Sequence, residues 1–142
     1  MINVTLKPKR SQEAGFSSED PTHIVAHVVS WRLNLRQHAW QPPTDLYETD
    51  DRYVVRVEIA GMREADFTVS LDQNIIVISG VRPDMSEKRA FHQMEIRTGE
   101  FSIALELPGP VDTDQVTAIY ADGFLQIDLP KKLAKKIYID QP

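Results

Sequence analysis

The chain contains no cysteine. That absence excludes disulfides, thiol nucleophiles and thiolate metal sites together. No apolar run approaches the roughly 20 residues needed to span a membrane. Positive charge is in deficit, with 16 Lys and Arg against 21 Asp and Glu and a formal net charge of -5. Nucleic acid is therefore excluded as the main partner, because phosphate binding needs a basic footprint. The six glycines are scattered, and none builds a phosphate-cradling loop. Met1 to Arg10 carry basic residues with no long apolar stretch behind them. They do not form a secretory signal, and the expected location is the cytoplasm.

What remains is an ordinary globular composition, 42% hydrophobic and 26% charged over 142 residues. That length suits one domain plus arms. A chain of this size buries roughly two-thirds of its unfolded surface, enough for one core without staples.

Three zones follow one another. Residues 1–22 are polar and show no apolar periodicity, which predicts a poorly ordered arm. Ile24, Val28, Trp31 and Leu35 then recur at helical spacing, and Val25 and Val29 widen the stripe. An arm over residues 1–42, partly helical or disordered, is expected to end at Gln41-Pro42-Pro43. From Thr44 the period becomes two. Tyr53, Val55, Val57 and Ile59 alternate with outward partners, as do Phe67, Val69 and Leu71, and later Phe101, Ile103, Leu105 and Leu107. Ile75 to Ile78 is continuously apolar, which predicts a strand covered on both faces, ended or bulged by Gly80. Val116 to Tyr120 and Phe124 to Leu129 flank Asp122-Gly123, a strong hairpin signal because a type I′ turn needs positive φ at both central positions. The expected fold over residues 43–130 is all-β, an immunoglobulin-like antiparallel β-sandwich. Residues 131–142 form an extended C-terminal tail, lysine-rich at first, in which Ile137 and Ile139 point the same way from an extended backbone.

No constellation selects a reaction. His23 and His27 have the i, i+4 spacing of two helical metal ligands, but no obvious third ligand lies near them. Asp45, Glu48, Asp50 and Asp51 lack the glycine and bidentate glutamate of a calcium loop. The serines include no nucleophile elbow. Neither a catalytic residue nor a cofactor or metal is expected.

Four motifs in order carry a resemblance. Pro43-Thr44-Asp45-Leu46-Tyr47-Glu48 followed by Val55-Arg56-Val57-Glu58-Ile59-Ala60-Gly61-Met62 looks like the opening of an α-crystallin domain. Ala118-Ile119-Tyr120-Ala121-Asp122-Gly123-Phe124-Leu125 matches an Ala-x-x-x-x-Gly-x-Leu signature, Pro130-Lys131 follows it, and Ile137-Tyr138-Ile139 matches a terminal Ile-x-Ile. The chain resembles the small heat-shock proteins from about Pro43 to Ile139, with a long 83–98 segment like that of the bacterial and plant branch. Ile103 stands where the family often has arginine, and Phe91-His92-Gln93 where it often has aromatic-His-Arg. Those two departures imply a dimer that depends less on ion pairs or pairs differently.

The resemblance implies an ATP-independent chaperone, a homo-oligomer built from dimers that captures unfolding client proteins. It assigns Ala90, Phe91 and His92 to a segment exchanged between the protomers of a dimer. It assigns Ile137 and Ile139 to a groove of a neighbouring dimer, lined by Phe67, Val69, Leu71, Val116, Ala118 and Tyr120. An alternative for the two isoleucines is a final strand on their own sheet. Client binding falls to the apolar residues of the arm: Ile24, Val25, Val28, Val29, Trp31, Leu33, Leu35 and Trp40. Two other readings are a monomeric β-sandwich co-chaperone or adaptor module, and a hydrolase built on the histidines.

Overall fold

From Thr44 onward the period of two is realised as consecutive strands. The computed structural model describes residues 2–6, 39–84, 87, 89–133 and 139–140. Among them lie β1 Val4–Leu6, β2 Thr44–Glu48, β3 Arg52–Glu58, β4 Phe67–Asp72, β5 Ile75–Arg82, β6 Gly99–Glu106, β7 Thr117–Ala121 and β8 Phe124–Pro130. They form two four-stranded sheets, ordered β1-β4-β5-β6 and β2-β3-β8-β7. Two single 3₁₀ turns, Glu64–Asp66 and Thr113–Gln115, lead into β4 and β7.

Alternation decides what faces inward. Tyr53, Val55 and Val57 of β3, Phe67, Val69 and Leu71 of β4, and Leu125, Ile127 and Leu129 of β8 are all buried. Ile76 and Ile78 of β5 meet Phe101 and Ile103 of β6 in the same core. Each such side chain contributes roughly 1.5–3 kcal/mol on burial. The hairpin at Asp122-Gly123 forms as expected, with φ of 53° and 81°, and Ala121 pairs with Phe124 across it.

Three expectations need correction. The run Ile75 to Ile78 is not covered on both faces: Ile76 and Ile78 are buried, whereas Ile75 and Val77 lie half-buried on the outer face. Gly80 does not end β5, which continues in register to Arg82. A Cβ there would overlap the Asp66 carbonyl oxygen and stand 2.8 Å from Cζ of Phe101. The glycine is a site of close approach, not a break. Finally, residues 2–6 are not part of a poorly ordered arm, although within residues 43–130 every strand pair is antiparallel as expected. Val4, Thr5 and Leu6 run parallel to Val69, Ser70 and Leu71, and Ile2 is only 5% exposed. Ile2-Asn3-Val4 is a strand-like alternation too short to register as a period beside Lys7-Pro8-Lys9-Arg10.

Gly80→Ala is expected to lower stability by about 1–3 kcal/mol, because overlap with a backbone carbonyl outweighs the better strand propensity of alanine. Thermal unfolding checks this. A Tm unchanged within a degree would mean that β5 shifts freely at Gly80.

Candidate functional site

β4 and β7 belong to different sheets and approach each other along one rim of the sandwich. Phe67 and Tyr120 bring them together, their ring centroids 5.1 Å apart. The Tyr120 hydroxyl donates to the Ile59 carbonyl at 2.8 Å and accepts from the Met62 N–H at 3.3 Å, which fixes the ring. Phe67, Val69 and Leu71 are buried in the core, and Val116, Ala118 and Tyr120 pack half-buried against it. Ile119 points outward and is 65% exposed. All six residues of the expected groove thus belong to or pack against the core cluster, with Phe67 and Tyr120 in direct contact. The edge of β4 beside them is paired with β1.

A second feature is the segment between β5 and β6. Its base is fastened: Arg82 donates from Nε to the Arg97 carbonyl at 2.6 Å and from Nη2 to the same oxygen. The Arg82 guanidinium also lies 4.4 Å from the ring centroid of Trp40. Trp40 in turn donates from Nε1 to the Gly99 carbonyl at 3.3 Å and stacks edge-on against Phe101 at 5.9 Å. Beyond that base the described residues of the segment up to Arg97 are exposed. Ala90 and His92 face solvent, and Phe91, Met94 and Ile96 are 54%, 62% and 76% exposed. Arg89 pairs with Asp84 at 2.7 Å and covers one side of the Phe91 ring at 5.0 Å. With Ala60, Gly61 and Arg82, these three apolar side chains border an open cavity of about 470 Å³. Met94 and Ile96 were not among the expected residues, although their own alternation was the signal for them.

The tail leaves from a fixed point. The Lys131 N–H donates to the Asp51 carbonyl at 2.8 Å and the Lys132 N–H to that of Pro110 at 3.0 Å. Lys131 Nζ reaches Glu48 at 2.8 Å, and that hydrogen bond raises the ammonium above the usual lysine range. The Arg52 guanidinium beside Asp51 holds its carboxyl below the usual range, and Arg63 does the same for Asp66. Such exposed pairs contribute little to stability; they fix chain direction. Ile139 is 86% exposed. Ile137 and the arm residues Ile24, Val25, Val28, Val29, Trp31, Leu33 and Leu35 lie outside the described residues.

Ile103 lies inward, where its alternation places it and not in the charged dimer region that the resemblance implied. It is 5% exposed and pairs with Ile78 inside the sandwich, so the missing arginine alters the core and not a charged edge. No group of three or more His, Asp or Glu among the described residues is placed to hold a metal.

Residues 45–141 match the sequence profile of the Hsp20/alpha crystallin family. The chain belongs to that family. Small heat-shock protein C4 of Rickettsia felis is 38% identical over 124 residues, covering 84% of this chain and 69% of the relative. The 17.9 kDa class II heat shock protein of Helianthus annuus is 35% identical over 92 residues, covering 63% of this chain and 58% of its own length. Among solved structures, a small heat-shock protein from Xylella fastidiosa superposes with a TM-score of 0.64 at 31% identity, covering 72% of this chain and 96% of that one. That crystal structure is described as revealing a distinct high order structure. The resemblance to the bacterial and plant branch thus stands, and with it membership of a family of non-enzymatic chaperones. The histidine hydrolase is set aside. No helix among the described residues is long and apolar enough to cross a membrane.

Proposed function

We propose that this small heat-shock protein is an ATP-independent holdase that works as an oligomer built from dimers. The observation that carries the reading is a saturated core beside unsatisfied edges. The sandwich buries its own apolar faces, yet Phe91, Met94 and Ile96 stand exposed on one segment and Ile139 on the tail. Among the described residues β2 ends its sheet, and no strand pairs with its outer edge. An exposed strand edge is a template for another chain. In the dimer, the 83–98 segment of one protomer crosses to the other, Ala90, Phe91 and His92 leading, and covers that edge. The exchange is reciprocal, as two-fold symmetry requires. A monomeric adaptor would leave all three apolar side chains in water.

The tail links dimers. Ile137 and Ile139 enter the groove of Phe67, Val69, Leu71, Val116, Ala118 and Tyr120 on a neighbour. Two buried isoleucines contribute roughly 3–6 kcal/mol, and ordering takes back about 1–2 kcal/mol per fixed residue. Each contact is weak, and many together hold the assembly while any one opens. Clients bind the apolar stripe of the arm, Ile24 to Leu35, with Trp40 joining the arm to the sandwich.

Light scattering from a heat-destabilised client tests the holdase reading. Addition of the protein at equimolar ratio is expected to suppress aggregation equally with and without ATP. Absence of suppression, or a requirement for nucleotide, would contradict it. Replacing Ile24, Val28, Trp31 and Leu35 by serine is expected to raise several-fold the amount of protein needed. Unchanged suppression would move the client site off the arm.

A further inference from the structure

The two ends of the chain carry the same pattern. Ile2-Asn3-Val4 and Ile137-Tyr138-Ile139 each present two β-branched apolar residues separated by one. In an extended segment such a pair projects to one side. The first pair is already housed. Val4 lies opposite Val69, and continuing that parallel register back by two residues brings Ile2 beside Phe67. Ile2 is a member of the buried core and Val4 packs against it. These are the wall residues to which the tail was assigned above.

We propose that residues 2–6 are an intramolecular plug that competes with the C-terminal tail for the groove between β4 and β7. The inference rests on the tail-in-groove reading of the proposed function. One groove cannot seat two Ile-x-β-branched strands along the same edge of β4, so each groove is either closed by its own N-terminus or open to a neighbour's tail. Three register pairs hold β1, a short attachment compatible with release. Being tethered, the plug acts at high effective concentration without needing high intrinsic affinity. The tail's apparent affinity falls by the fraction of grooves left open. Assembly is thereby set by the balance between two ends of one chain.

The test uses the full chain with Ile137→Ser and Ile139→Ser, so that its own tail is silent. A fluorescent peptide of residues 131–142 is the probe, read by anisotropy. Adding Ile2→Asp and Val4→Asp is expected to tighten peptide binding about tenfold, and an unlabelled peptide of residues 1–8 is expected to displace the probe. A second variant keeps the core intact. Thr5 and Ser70 are register partners on the outer face, and the chain has no cysteine of its own. Thr5→Cys with Ser70→Cys should close a disulfide on oxidation, abolish probe binding, and recover it on reduction. Equal binding by the oxidised and reduced forms would overturn the plug while leaving the tail-in-groove reading intact. No binding to any form would overturn both. Failure of the two cysteines to oxidise together would contradict the pairing of β1 with β4.

Discussion

Replacing Ile137 and Ile139 together by alanine is expected to leave folded dimers and no larger assembly. The expectation follows from where the apolar surface goes. Ile139 has no core of its own and is almost fully exposed, while Lys131 and Lys132 fasten the start of the tail through backbone bonds to Asp51 and Pro110. A tail leaving from a fixed point, with two isoleucines beyond a lysine-rich spacer, is suited to reach a neighbour. Truncation to alanine removes most of the roughly 3–6 kcal/mol that two buried isoleucines contribute. Little then remains to offset the ordering of the segment. The sandwich should not register the change, so Tm is expected to stay within about a degree while the native mass collapses. Full assembly size in the double variant would instead favour a final strand on the tail's own sheet.

Changing Phe91, Met94 and Ile96 together to serine is expected to go one step further and yield folded monomers. All three side chains are more than half exposed in the protomer, so serine removes nothing from its core. At roughly 1.5–3 kcal/mol per fully buried side chain, and with each contact made twice in a two-fold dimer, the loss would exceed what most dimers can tolerate. Analytical ultracentrifugation distinguishes the outcomes. Dimers persisting at micromolar concentration would mean that the 83–98 segment is not the dimer contact. Arg82 should be left alone in such a variant, because it ties the base of the segment to Arg97 and Trp40.

What the sequence reveals and what it hides divides along the range of the interactions. Strands such as Tyr53-Val55-Val57 and Leu125-Ile127-Leu129 are visible because one buried face writes a period of two into the chain. The Asp122-Gly123 hairpin is visible because its backbone needs positive φ at two adjacent residues. Gly80 is different: its reason is the Asp66 carbonyl and the Phe101 ring, which arrive from the 3₁₀ turn before β4 and from β6. Ile103 is different again: its alternation with Phe101 and Leu105 already points it inward, and only the family comparison placed it at a charged edge. Trp40 reads as the end of an arm, yet its partners are Gly99 and Phe101, far along the chain. The short strand at Val4 to Leu6 has too few residues to establish a period, and only pairing with Val69 to Leu71 reveals it. The groove and the tail came from the family resemblance. Periodicity made their strands legible but could not bring β4 and β7 to one rim.

The native mass of the intact chain, measured by light scattering across a range of concentrations, tests the central claim most directly. The account predicts an assembly of several dimers that falls to dimers when the chain is ended at Lys136. A mass near 16.2 kDa for both chains would contradict it.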